Sequence, residues 1–240
     1  MGEEKANKKE IYIADDDRNI RLAIRTFLVS EGYAVQDFED GESLLTAFEK
    51  KVPDMVILDV IMPGVDGFEV CRKIRETSIV PIIMLTARDT DMDYAMGMNL
   101  GSDDYFTKPF SVVALSMRVK AIFRRIEYEH RRYAPSDDKM KLGNLIIYQG
   151  ERKAVDGERE LALTPNEYDL LKYLVARSGA AVSREELLKN IWGYQTEVET
   201  RATDDTVRRL RKKLEGTSVV IETVWGFGFR IKELEEKHGA

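Results

Sequence analysis

Five short apolar runs are spaced along the first half of the chain: IYIA (11–14), YAVQ (33–36), MVIL (55–58), PIIML (81–85) and YFT (105–107). Between them lie stretches 18–31, 41–50, 67–76 and 91–99, where Leu, Ile, Phe and Met recur at helical spacing, and a last one lies near 111–127. Strands that alternate with helices imply a parallel sheet, because each parallel neighbour needs a long crossover to bring the chain back to the same edge. The first half is therefore read as an open, doubly wound α/β sheet of five strands covered by helices.

In such a sheet functional groups gather where strands end at their carboxyl side. Here the first strand runs into Asp15, Asp16 and Asp17, MVIL is followed by Asp59, the fourth run by Thr86 and the fifth by Lys108. Each alone has an ordinary explanation, since a strand-terminal Asp is commonly a turn residue or a helix N-cap. Together they bring carboxylates, a hydroxyl and an ammonium to one edge. Clustered carboxylates call for a hard divalent cation, and Mg²⁺ suits one or two of them together with a phosphate and waters. A carboxylate is also a covalent acceptor for a phosphoryl group. Lys108 would pair with the added charge and Thr86 would hydrogen-bond a phosphate oxygen. Asp17 has a local role open to it as well, because it precedes RNIRLAIRTFL and an anion is favoured at a helix N-terminus. Capping is the favoured reading for it, over metal binding through water.

Residues 128–138, YEHRRYAPSDD, lose the apolar periodicity and are read as a linker. Beyond them come strand-like pieces around 142–147 and 152–155, helical segments near 165–177, 183–192 and 201–214, and an alternating hairpin, VVIETVWGFGFRI (219–231). Helices followed by a small hairpin point to a winged helix-turn-helix, a DNA-binding module. In RATDDTVRRLRKKLEG, Val207, Leu210 and Leu214 form a core stripe. Arg201, Asp205, Arg208, Arg209 and Lys212 fall broadly opposite, with Arg211 at the flank. A solvated basic face is the plain alternative; the cationic density and the preceding EELLKNIWG favour contact with phosphates and bases.

Charge divides the chain in the same place. Residues 1–138 hold 19 Lys+Arg and 26 Asp+Glu, a net −7, and residues 139–240 hold 18 and 17, a net +1, which together give the −6 of the whole. An acidic front and a near-neutral rear with basic clusters suit two different jobs. The single cysteine, Cys71, excludes an internal disulfide framework, fits a reducing cytoplasm and reads as a small buried apolar residue. No apolar run approaches the roughly 18 residues of a membrane span, and MGEEKANKKE has no signal-peptide core. The expectation is a cytoplasmic protein with no membrane partner.

The motifs IADDD, LDVIMPGVDG, LTA and DDYFTKPF closely resemble the receiver domains of bacterial two-component response regulators, and nearly all of residues 9–127 takes part. The resemblance implies a strand order of 2-1-3-4-5 and makes Asp59 the phosphoacceptor. It assigns Mg²⁺, with Mn²⁺ tolerated, to Asp15, Asp16, Asp59 and the backbone carbonyl of Ile61. Thr86, Tyr105 and Lys108 become the residues that sense the phosphoryl group, and the peptide bond before Pro109 is expected to be cis. Asp103, Asp104, Arg118 and Arg125 match positions that form salt bridges in a homodimer of the phosphorylated form. A lysine–glutamate pair usual on that surface is replaced by Tyr94 and Ala114.

The rear half, 139–234, is similar to the winged-helix effector domain of the OmpR/PhoB subfamily through LTPNEYDLLKYL, SREELLKNIWG, TVRRLRKKL and IETVWGFGFRI. This implies a recognition helix over 203–214 in the major groove. Arg201, Thr206, Arg208, Arg209, Arg211 and Thr223 then stand at positions that contact double-stranded DNA. The wing departs from the pattern: where many relatives have TVRG, this chain has TVWG, so Trp225 replaces an arginine that enters the minor groove, and Phe229 replaces a tyrosine. Trp225 is read as packing against the protein in preference to a sugar-phosphate edge. The loop 193–200, GYQTEVET, lies where relatives can contact RNA polymerase.

The expected function is a transcription regulator phosphorylated by a sensor histidine kinase, which dimerises and binds tandem half-sites about 10–11 base pairs apart. It would not be an enzyme beyond self-phosphorylation and autodephosphorylation at Asp59. The rival is a haloacid-dehalogenase-like phosphohydrolase using Asp15 as nucleophile and Asp17 as acid/base. Against it, Asp17 lacks the following Gly-Thr, the acidic pair precedes the lysine, and Asp59 has no role.

Overall fold

The computed structural model describes residues 8–87, 101–132, 139–193 and 202–234, with side chains left undescribed over 127–132. Two compact units divide the chain, Met1–Lys120 and Ala121–Ala240. The expected helix at 91–99, Tyr94, Arg201 and the loop 194–200 lie outside the described residues.

The first unit alternates β1 (Glu10–Ala14), α1 (Arg18–Ser30), β2 (Ala34–Phe38), α2 (Gly41–Lys50), β3 (Met55–Asp59), α3 (Gly67–Thr77), β4 (Ile82–Thr86) and β5 (Asp104–Thr107), and α4 (Val112–Arg132) begins in it. All five strands are parallel, in the order β2-β1-β3-β4-β5 expected from the sequence. β3 and β4 are buried along their whole length, which is why MVIL and IIML read as unbroken apolar runs: helices cover both faces. The helices start where the sequence places acceptors. Asp17, Asp40 and Asp66 cap α1, α2 and α3, each accepting backbone N–H bonds from the first turn. Gly67 lets α3 start close to the end of β3, since a Cβ there would stand 2.1 Å from the Asp59 carbonyl oxygen. Cys71 is fully buried among Leu44, Val70 and Ile74, as its apolar reading expected.

The second unit opens with a four-stranded antiparallel sheet, β6 (Lys139–Leu142), β7 (Leu145–Tyr148), β8 (Lys153–Asp156) and β9 (Arg159–Glu160). The run read as one strand over 142–147 is in fact folded back on itself. Leu142 pairs with Leu145 across Gly143-Asn144, and Gly143 takes φ +60°, the tight-hairpin conformation that glycine permits. There follow α5 (Pro165–Val175), β10 (Val182–Ser183), α6 (Arg184–Leu187) continued by a π-helical turn Leu188–Trp192, α7 (Ala202–Lys213) and the hairpin β11 (Val219–Val224) and β12 (Gly228–Glu233). β10 pairs with β12, completing a three-stranded winged-helix sheet in the order β10-β12-β11. α4 extends to Arg132, so helix occupies the first part of the stretch that its composition marks as linker.

Candidate functional site

The carboxyl edge of the parallel sheet carries the acidic cluster. β1 ends at Ala14, which places Asp15 in the interior and Asp16 in solvent; β3 ends in the buried Asp59, and β4 in the buried Thr86. Asp15, Asp16 and Asp59 each offer one oxygen, and these oxygens lie within 4.8 Å of one another. From the loop after β5, Lys108 Nζ donates to Asp15 Oδ2 at 2.8 Å and to Asp59 Oδ2 at 2.9 Å. The Lys108–Pro109 peptide bond is cis, as expected. Tyr105 is buried in the same core as Ile82 and Met84. Ile61 lies two residues past Asp59, with its side chain exposed.

Three carboxylates and one ammonium leave a formal −2, the charge of one divalent cation. Asp59 Oδ1 is buried and has no hydrogen-bond partner, so one acceptor in the middle of the cluster is left over by the protein itself. All-oxygen donors and a surplus buried acceptor fit Mg²⁺. Burial pushes the Asp59 carboxyl above its ordinary range and the Asp15 charge adds to this, while the Lys108 hydrogen bond opposes it. Lys108 is pulled down by burial, yet its bonds to Asp15 and Asp59 carry it above its ordinary value.

The triplet divides as its local chemistry anticipates. Asp17 accepts from the N–H groups of Asn19 (2.8 Å) and Ile20 (3.4 Å), so its carboxylate is occupied as the cap of α1. Sequence reasoning missed Arg21, one turn into α1. Its guanidinium donates to the carbonyls of Asp15 (2.6 Å) and Asp16 (3.0 Å), holding the backbone of the acidic loop.

The expected subunit contacts fare differently. Asp103 is buried and accepts from Arg75 and from the Ile82 N–H, both at 3.0 Å. Its carboxylate fastens α3 to β4 inside the chain, a structural role that the sequence reading did not give it. Asp104 and Arg118 pair with each other within the chain, and Ala114 is exposed. Arg125, in the second unit, pairs with Asp169 and donates to Asn166 and the Ile191 carbonyl.

α7 carries Thr206, Arg208, Arg209 and Arg211 of the residues expected to meet DNA, and the structure separates them. The Arg208 side chain is 52% exposed and bonds to Asp205, and Lys212 is exposed one turn further on. Arg209 is 8% exposed: its Nε donates to Glu167 Oε1 at 3.1 Å and its Nη2 to Thr206 Oγ1 at 3.2 Å. Thr206 is fully buried. The helical wheel thus misplaced Arg209 and Asp205, and the expected contact role fits neither Arg209 nor Thr206. The cause is that α7 buries more than one stripe, packing against both α5 and β11. Arg211 lies at the flank as expected, donating to the Ile221 carbonyl and Thr223 Oγ1, each at 2.9 Å.

Glu167 was not singled out from the sequence. It is buried, accepts from Arg209, from Lys213 (2.6 Å) and from the Thr164 N–H (2.9 Å), and so ties α7 to the start of α5. Burial pushes its carboxyl up, but Lys213 and Arg209 outweigh this and hold it below its ordinary range. The TPNE sequence, a helix start with Glu at the third position, was the available signal. Trp225 is 92% exposed, which overturns the expectation that it packs on the protein.

Two family models match the chain: the response regulator receiver domain over residues 11–120, and the C-terminal domain of transcriptional regulatory proteins over residues 158–231. The transcriptional regulatory protein YclJ of Bacillus subtilis is 39% identical over 93% of this chain and 99% of its own length. The alkaline phosphatase synthesis transcriptional regulatory protein PhoP of the same organism is 37% identical over 94% of this chain and 97% of its own. Among solved structures, a RitR mutant is 28% identical with a TM-score of 0.72, over 94% of this chain and all of that one.

Proposed function

The chain belongs to the two-component response regulators of the OmpR/PhoB type, DNA-binding transcription regulators, and we propose that Asp59 is the switch that governs its binding to DNA. A phosphohistidine of a sensor kinase is the donor. An Asp59 carboxylate oxygen attacks phosphorus, the P–O bond forms as the P–N bond breaks, and the electron pair leaves on the imidazole, which takes up a proton. Mg²⁺ held by Asp15, Asp16, Asp59 and the Ile61 carbonyl would neutralise charge on the transferred group. Lys108, already bonded to Asp59, remains as the counter-charge of the acyl phosphate, and Thr86 accepts the role of hydrogen-bonding a phosphoryl oxygen. Tyr105 follows Thr86 as the packing element that couples the site to the surface. Asp59 sits in the functional division 9–127, separate from the DNA-binding residues 139–234.

Phosphorylation then favours a homodimer, with Asp104 and Arg118 exchanging their partner within the chain for one across the interface. Two winged helices are thereby set on tandem half-sites. Arg208, Arg211, Thr223 and Arg201 are the side chains proposed to meet the duplex, and the 193–200 loop is left for RNA polymerase. One observation carries this reading: Lys108 bridges Asp15 and Asp59 while Asp59 Oδ1 is left without a partner. Incubation with acetyl phosphate and Mg²⁺ tests it. One acid-stable, alkali-labile label per chain is expected, lost in Asp59→Asn. Multiple turnovers on a phosphate monoester, abolished by Asp15→Asn and untouched by Asp59→Asn, would replace it with the phosphohydrolase.

A further inference from the structure

The hairpin β11–β12 is held firmly at its base and bare at its tip. Phe229 is buried, with the guanidinium groups of Arg184 and Arg211 at 4.6 and 5.8 Å from its ring centre. Gly228 passes so close to β10 that a Cβ would stand 1.9 Å from the Val182 carbonyl oxygen. The turn is closed by the Phe227 N–H to the Val224 carbonyl at 3.0 Å, with Gly226 at φ +71°. On this fixed tip Trp225 is 92% exposed and Phe227 49%. The other tryptophan, Trp192, is buried. The basic residues of β12 do not accompany the tip: Arg230 and Lys232 both pair with Glu222. An indole in water adds nothing to the fold, and its large flat apolar surface gains only when something covers it.

We propose that Trp225, flanked by Phe227, is a wedge that enters the minor groove of the bound duplex and partly unstacks one base step. The inference rests on the DNA-binding reading of this domain. What commits the tip to DNA is its continuity with the recognition helix. Arg211 of α7 is bonded to Ile221 and Thr223 of β11, so the helix in the major groove carries the hairpin to the neighbouring groove. Charge decides how the tip reads that groove. A narrow A-tract groove attracts cations through its negative potential, and an indole has no charge to exploit it. Apolar side chains in the minor groove act instead as wedges that kink the duplex. The step opposite the wing is therefore a flexible pyrimidine–purine step, TA or CA/TG, since these unstack most readily.

The test uses the full chain with beryllofluoride and Mg²⁺, and duplexes that it enriches from a random-sequence pool. These carry end dyes for bending and 2-aminopurine at successive adenines. The wedge predicts bright 2-aminopurine at one step beside the recognition site, a bent duplex, and protection of exposed tryptophan from acrylamide on binding. Trp225→Ala, a change at a solvent-exposed tip, should abolish the bright step and the bend. It should weaken binding about tenfold, within the range for losing one base-stacking aromatic, and leave the salt dependence unchanged. Trp225→Arg should move enrichment at that step towards A-tracts. Unchanged brightness and bend in Trp225→Ala, with Arg208→Ala weakening binding, would overturn the wedge and leave the DNA reading intact. Failure of the wild-type chain to enrich any duplex would remove both.

Discussion

Glu167→Gln removes a buried charge from between two cations, and the structure fixes what that costs. The Glu167 side chain is 1% exposed, its partner Arg209 9% and its partner Lys213 32%. Lys213 can turn to water, so its share of the loss is small. Arg209 cannot, and a buried cation stripped of its anion costs about 3–5 kcal/mol. The amide of Gln still accepts from the Thr164 N–H, which sets the expectation at the low end, about 3 kcal/mol. Both tryptophans, Trp192 and Trp225, belong to the second unit, so tryptophan emission in urea reports that unit alone in the intact chain. With a slope of about 1.5 kcal/mol per molar, the midpoint should fall by about 2 M. Pairing the change with Arg209→Met removes the stranded cation and should recover about 2 kcal/mol as a coupling between the two sites. A midpoint shift below about 0.3 M, or two losses that simply add, would mean that Glu167 does not hold α7 through Arg209.

The same residue sets a pH dependence. Its folded-state value lies below the usual 4.5, so its stabilisation is whole above about 4.5 and is lost as pH falls through the lower folded value. Urea midpoints taken from about pH 6 down to about pH 3 should decline less in Glu167→Gln than in the wild-type chain; parallel curves would refute the assignment. On DNA, Arg208→Ala should lower the slope of log affinity against log salt by about 0.9. Arg209→Ala should instead destabilise the domain, and a full-strength fold with a flattened slope would place that guanidinium on phosphate after all. Lys108→Met takes the acidic cluster from −2 to −3, and calorimetry should find Mg²⁺ bound at least about fivefold more tightly. Weaker binding would show that Lys108 organises the metal site rather than competing with the ion.

The receiver half was largely legible because its information is local. Strand runs, capping aspartates and strand-terminal carboxylates all lie within a few residues of what they do, and Asp17 separates from Asp15 and Asp16 on that ground alone. The rear half was less so. A helical wheel assumes one buried face, and α7 has more than one, so the wheel turns Arg209 to solvent while the fold buries it. Its partner Glu167 lies 42 positions away, and only the tertiary fold brings them together. The interface role for Asp103 comes from family resemblance, and its partner within the chain, Arg75, is 28 positions off, beyond the reach of any local pattern. Apolar pattern alone could not divide 142–147, where Gly143 turns the chain inside what reads as one strand. Trp225 shows the reverse: an aromatic is expected to bury itself, and the tight turn at Gly226 leaves it nothing to pack on.

Whether Asp59 governs DNA binding by the second unit is addressed by one titration. An enriched duplex is titrated with the chain as purified, after acetyl phosphate with Mg²⁺, and as Asp59→Asn treated in the same way. Phosphorylation is expected to tighten binding by about 5- to 150-fold, as a coupling of about 1–3 kcal/mol between sites gives, and Asp59→Asn should stay at the unphosphorylated affinity. Equal affinity for the labelled and unlabelled chains would contradict the central claim and leave a DNA-binding protein whose acidic site does not govern it.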